Sequence, residues 1–211
     1  MKTRIFNLII IDESGSMCSI KKEAIDSVNE TIQTIRSAQK KHEGQEHYVS
    51  LVTFNDDVKT VYDCVNVDEV KELNAETYRP DCCTALYDAM GISLNALRRN
   101  VAENDNVLVT IVTDGYENAS REYNGNAVKA LVDELKAKGW VFAYIGANQD
   151  VEKVAASMSI TNTMCFDTTH EGTVAMGKKL NKARGRLYAC MAFKDFCAEA
   201  ANENFFDEGK E

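Results

Sequence analysis

Residues 7–17 read NLIIIDESGSM. Its run of branched apolar side chains is continuous instead of alternating, the pattern of a strand buried on both faces in the middle of a parallel sheet. The run stops at Asp12, and Ser14 and Ser16 follow at alternate positions. In a loop leaving a strand, these three oxygen-bearing side chains can turn toward one point. Hard oxygen donors suit Mg²⁺, Mn²⁺ or Ca²⁺ and not thiophilic zinc. Taken alone, the same residues also fit a strand end followed by a Ser/Asp helix cap, with no ligand.

Outward from this stretch, β-branched apolar runs at 4–11, 48–54, 58–65, 106–113, 140–146 and 163–166 predict strands. Helical patterns fall at about 19–41, 84–102, 126–138, 150–158 and 171–187, with a further helix over 188–204. Only Asn55, Asp56 and Asp57 separate the second and third runs, too few for a crossover, so these two form an antiparallel hairpin at a sheet edge. The remaining alternation is βαβ. The expected fold is therefore α/β and doubly wound, a mostly parallel central sheet with one antiparallel edge strand and helices on both faces. Ligands in such sheets bind at the carboxyl ends of strands where the winding reverses. Asp114 ends the fourth run, VLVTIVTDG, so neighbouring first and fourth strands would bring Asp12 and Asp114 to one crevice.

Composition narrows the function classes. The chain has 211 residues, 45% of them apolar, enough for one domain with a buried core. A formal net charge of -9 opposes a phosphate backbone, and no basic stripe interleaves with aromatics, so nucleic acid is not an expected partner. The amino-terminal MKTRIFNLIII runs straight into Asp12 without a small-residue cleavage site, and no stretch reaches the roughly 20 apolar residues that cross a bilayer. The expectation is a cytoplasmic protein without a membrane partner. Seven cysteines form no spaced disulfide framework and read as reduced thiols. Cys190 and Cys197, seven apart, read as core residues of one helix face.

With Thr84 in PDCCTALYDAM and Asp114 in TDG added to Asp12, Ser14 and Ser16, the sequence resembles the von Willebrand factor A family with its metal-ion-dependent adhesion site. That site uses D-x-S-x-S, a threonine from a middle loop and an aspartate after the fourth strand. The resemblance covers about 1–187, leaving 188–211 as a helical extension packed on the same domain with a frayed acidic end. It implies a stand-alone intracellular member with a Rossmann-like fold. Ser14 and Ser16 would bind the ion directly, Asp12 and Asp114 directly or through water, and Thr84 in the high-affinity form. An Asp or Glu carboxylate of a protein partner would complete the shell, coupled to a shift of the helix at 171–187 with 188–204 riding on it. Glu13 and Glu117 are expected to be solvated or to face the partner. Cys82 and Cys83 replace the two glycines usual before the threonine; they narrow the loop or expose a thiol near the metal, with a redox role as the alternative.

Other motifs are incomplete. HEGQEH at 42–47 spaces its histidines five apart with Gly44 between, unlike a zinc protease helix, and reads as a solvated turn. GTVAMGKK at 172–179 places Lys179 where a phosphate-binding loop needs Ser or Thr, and reads as helix. A phosphoryl-transfer enzyme similar to the haloacid dehalogenase-like phosphatases would use Asp12 as nucleophile and a second aspartate two residues on as acid/base, where Ser14 stands and cannot shuttle a proton near neutral pH. The G-x-S-x-G elbow of hydrolases is absent. Binding is therefore favoured over catalysis, with a regulatory or assembly subunit of a larger intracellular complex as a further reading. The sequence leaves the partner and the oligomeric state open.

Overall fold

The computed structural model describes residues 2–147, 150–193 and 196–207. Its strands are β1 (Thr3–Asp12), β2 (Gln45–Phe54), β3 (Val58–Asn66), β4 (Asn106–Thr113), β5 (Trp140–Gly146) and β6 (Thr163–Cys165). Its α-helices are α1 (Lys21–Lys41), α2 (Leu86–Leu97), α3 (Gly125–Ala137), α4 (Val151–Ser157), α5 (His170–Cys190) and α6 (Ala198–Asn204), with 3-10 turns at Gly15–Ile20 and Val67–Glu69. The six strands form one sheet in the order β3-β2-β1-β4-β5-β6. Every pairing is parallel except β2 with β3, the expected hairpin.

Because side chains alternate along a strand, β1 feeds two cores. Ile5, Ile9 and Ile11 pack with Val28, Ile32 and Ile35 of α1 and with Leu180 and Leu187 of α5. Phe6, Leu8 and Ile10 face Met90 and Leu94 of α2, Val128 and Val132 of α3, and Ala155 of α4. One close approach depends on glycine: a Cβ on Gly91 of α2 would lie 2.3 Å from the Tyr123 ring. The expected helix at 84–102 is shorter at both ends. Thr84 and Ala85 are loop residues, and the chain leaves α2 through tightened turns in which Arg99 and Asn100 donate to the carbonyls of Ala96 and Leu97.

The carboxy-terminal region departs further from expectation. Instead of one helix over 188–204, α5 ends at Cys190 and the short α6 begins at Ala198. Cys190 and Cys197 therefore share no helix face, and both are exposed, against the core reading. What anchors α6 is polar. Among the described residues β6 pairs with Tyr144–Gly146, and no strand lies beside the first half of β5 on that side. The Asn202 amide covers it, accepting from the Phe142 N–H at 3.0 Å and donating to the Trp140 carbonyl at 2.8 Å. Asn162 donates to the carbonyls of Phe142 and Ala201 and ties the two segments together. The acidic end at 208–211 lies outside the described residues.

A second polar group is buried beneath α5. Arg184 is 0% exposed, donating to Thr110 Oγ1 at 2.8 Å and to the Tyr188 hydroxyl at 3.2 Å. Tyr188 donates to Asn7 Oδ1, and its carbonyl accepts from Gln45 Nε2 at 2.7 Å. His47, predicted in a solvated turn, is instead a 0% exposed residue of β2. Its Nε2 lies 3.1 Å from Gln45 Oε1, and its ring stands edge-on to Tyr188. The turn reading fails because the apolar alternation of β2 begins only at Tyr48, although pairing with β1 extends back to Gln45.

Candidate functional site

The parallel pairing of β1 with β4 sets Ile11 opposite Val112, so the chain leaves both strands at the same end of the sheet. Asp12 and Asp114 converge there as the topology requires. The Ser14 N–H donates to Asp12 Oδ1 at 2.7 Å, fixing the turn that starts the loop. The Ser14 and Ser16 hydroxyl oxygens are 3.1 Å apart, and Ser16 donates to Asp114 Oδ1 at 2.5 Å. Thr84 closes the ring from the third segment. A Cβ built on Gly115 would lie 3.0 Å from Thr84 Oγ1, close enough to press on it, and at ordinary contact, 3.7 Å, from both Asp12 Oδ2 and Ser16 Oγ, so these three oxygens gather beside one backbone position. All five predicted residues are thus brought together.

Asp12 is 0% exposed, and Ser14, Thr84 and Asp114 are also buried, while Ser16 opens to solvent. Burial pushes the Asp12 carboxyl up to about 6, opposed by hydrogen bonds from Thr113 and Ser14 and reinforced by the charge of Asp114. Burial also raises the carboxyl of Asp114. Two poorly solvated carboxylates beside three hydroxyls form a donor set that a divalent cation would both neutralise and ligate. Among the described residues no cluster of three or more His, Cys, Asp or Glu side chains forms a metal site. This donor set is of another kind, with two acids and the rest neutral oxygens, and it fits a hard cation.

Several positioning residues were not apparent in the sequence. Thr113 donates to Asp12 Oδ2 at 2.5 Å, and the Tyr78 hydroxyl donates to the Asp12 carbonyl at 2.5 Å. The Asn118 side-chain Oδ1 accepts from the Thr84 N–H at 2.9 Å, and the backbone N–H groups of Asn118 and Ala119 return bonds to the Thr84 carbonyl. Their signal is proximity to Asp114 or Thr84 in the chain, except for Tyr78, which only folding brings in. The two flanking glutamates correct the earlier expectation. Glu13 is 8% exposed and accepts from the Arg79 N–H, while its own carbonyl accepts from Asp81 N–H at 2.9 Å. Glu117 is half-buried and accepts from the N–H groups of Tyr87, Ala119 and Ser120. Both carboxylates stitch loops together because unpaired backbone donors there need acceptors. The thiols of Cys18, Cys82 and Cys83 stand exposed on the loops around the site.

Among the described residues no helix is long and apolar enough to cross a membrane. No curated protein sequence matches the chain significantly. Solved structures share its fold at low identity. Proximal thread matrix protein 1 from the mussel byssus is 12% identical with a TM-score of 0.62, over 87% of this chain and 47% of that one. The PilB minor pilin from Streptococcus sanguinis is 15% identical with a TM-score of 0.61, over 88% and 62%. The ArnB paralog VWA2 from Sulfolobus acidocaldarius is 15% identical with a TM-score of 0.59, over 86% and 45%. The chain spans less than two thirds of the length of each. The sequence profile of the von Willebrand factor type A domain matches residues 8–182. With the sheet order and the winding reversal at β1, this match shows that the chain belongs to the von Willebrand factor type A domain family, whose domains commonly serve as protein-interaction modules.

Proposed function

We propose that this domain binds a divalent cation, Mg²⁺ or Mn²⁺ with Ca²⁺ as the larger alternative, through Asp12, Ser14, Ser16, Thr84 and Asp114, and uses it to recruit an Asp or Glu carboxylate of a protein partner. The observation that carries this reading is the gathering of the Asp12, Ser16 and Thr84 oxygens beside Gly115, with Asp114 of the segment after β4 hydrogen-bonded to Ser16. At most two negative charges come from the protein, so a bound divalent ion would keep attraction for an external carboxylate. Exposed Tyr116, at 57%, offers an apolar ring on the same loop for the partner to cover. The free cysteines, mostly exposed, suit a reducing, cytoplasmic setting.

Binding is favoured over catalysis. Ser14 occupies the position where a phosphoryl-transfer enzyme would keep its acid, and its hydroxyl is engaged with Ser16. His47 is buried in the β2 network, and His170 pairs with Glu23 at 2.9 Å. Calorimetric titration of Mg²⁺ and Mn²⁺ into the wild type and Asp12→Ala tests the site. Saturable binding lost in the variant supports it, and equal binding by both places the metal elsewhere. A phosphomonoesterase rate that disappears in Asp12→Ala would overturn the non-enzymatic reading.

A further inference from the structure

Cys18, Cys82 and Cys83 lie on the segments that carry Ser16 and Thr84, and two of them are neighbours in sequence. Cys82 and Cys83 are exposed and stand immediately before Thr84. Cys82 holds φ at 62°, a left-handed conformation that a non-glycine side chain rarely adopts. Its carbonyl accepts the Gly15 N–H at 3.1 Å, joining the loop of Thr84 to the loop of Ser14 and Ser16. Of the bonds that tie these two segments, those from Tyr78, Arg79 and Asp81 to Asp12 and Glu13 among them, this one lies nearest in sequence to both Ser14 and Thr84.

We propose that Cys82 and Cys83 form a reversible vicinal disulfide under peroxide, and that closing it withdraws the Cys82 carbonyl from Gly15 and displaces Thr84. The chemistry balances with hydrogen peroxide as oxidant. One thiolate attacks the peroxide and becomes a sulfenic acid with loss of hydroxide; the second thiol displaces that oxygen as water. Two thiols and one peroxide give one disulfide and two waters. Consecutive Cα atoms lie about 3.8 Å apart, less than the roughly 4.4–6.8 Å of a relaxed disulfide, so ring closure has to turn the peptide between them. A strained disulfide is also readily reduced, as reversibility requires. Cys18 is a rival thiol beside this loop, its Sγ 3.3 Å from the Pro80 carbonyl, but it is held on the Gly15–Ile20 turn. The consequence for metal affinity rests on the proposed cation site; the disulfide and the loop movement do not.

The full chain, treated with hydrogen peroxide and then alkylated, is mapped by mass spectrometry while Gly15 amide exchange is followed by NMR. The expected result is one peptide carrying both Cys82 and Cys83, lighter by two hydrogens and refractory to alkylation, in the wild type and in Cys18→Ser. Gly15 exchange should accelerate about tenfold, the loss of roughly one hydrogen bond, and return with dithiothreitol. Cys83→Ser should show no acceleration. A cross-link from either cysteine to another peptide, oxygen addition without ring closure, or unchanged Gly15 exchange overturns the proposal. A reduced protein that ignores Mg²⁺ refutes the cation reading alone, because the mass and exchange results stand without metal.

Discussion

Two polar clusters are buried along the same pair of strands. Asn7 and Thr110, in the interior of β1 and β4, join Gln45, His47, Arg184 and Tyr188 beneath α5, whereas Asp12 and Asp114, at or just past the carboxyl ends, join Ser14, Ser16 and Thr84. The first cluster spends its hydrogen bonds internally and holds a helix to three strands. The second leaves two carboxylates crowded together with only hydroxyl and amide partners. Polar groups that satisfy one another stabilise and orient the fold. Like charges held in place without a counter-charge point to something that binds. Even the first cluster keeps two orphan atoms, His47 Nδ1 and Arg184 Nε.

The largest expected effect tests the structural cluster. Arg184→Ala removes the donors to Thr110 and Tyr188 and opens a void, and should cost about 3 kcal/mol in urea unfolding. Its Mg²⁺ response should persist once folded; loss of that response would show that the two clusters are coupled through α5. Next, Mg²⁺ at a hundred times its dissociation constant should stabilise the wild type by about 2.7 kcal/mol and Asp12→Ala not at all, read as shifts in calorimetric melting. An equal shift in both would show that the strand-end cluster does not hold the cation.

Acid should separate the clusters by sign. Burial, helped by the charges of His42 and Arg184, lowers the His47 pKa to about 4. Between the unfolded value near 6.5 and that folded value, the unfolded chain binds the proton and the native one does not, so stability falls as pH falls, by up to about 1.4 kcal/mol per unit. Asp12, with its pKa raised to about 6, contributes the opposite slope below that pH. The comparison is therefore between wild type and His47→Gln, which share Asp12. Parallel stability profiles from pH 7 to 5 would show that His47 titrates normally. The smallest effect concerns the loops. Glu117→Ala should cost about 1 kcal/mol by freeing the Tyr87, Ala119 and Ser120 amides. The metal response should weaken with it only if the Asn118 hold on Thr84 also loosens, which amide exchange at Thr84 would report.

The fold was largely legible because its signals are local. A continuous apolar run, a three-residue hairpin connection and βαβ spacing each follow from strand and helix periods, and they led to the reversal at β1 and to Asp12 and Asp114 sharing one end of the sheet. The cation-type oxygens were legible for two reasons: Asp12 and Asp114 end strand runs, with Ser14 and Ser16 following Asp12 at alternate positions, whereas Thr84 was identified through the family resemblance. Signals failed where a residue's surroundings come from distant segments. Cys190 and Cys197 look like a helix face, yet the helix stops between them. His47 looks like part of a turn, yet it pairs with β1.

The sequence by itself determined the α/β class, the order of alternation and the two strand-end aspartates that meet at the crevice, because hydrophobic period and strand ends are written in neighbouring positions. Only the tertiary structure decided that Glu13 and Glu117 serve backbone amides, that the Asp12, Ser16 and Thr84 oxygens gather beside Gly115, that Cys82 takes a left-handed turn against Gly15, and that α6 seals the edge of β5 with one asparagine. Each depends on which unpaired donor, acceptor or close contact another part of the chain brings within reach, and no local pattern encodes that.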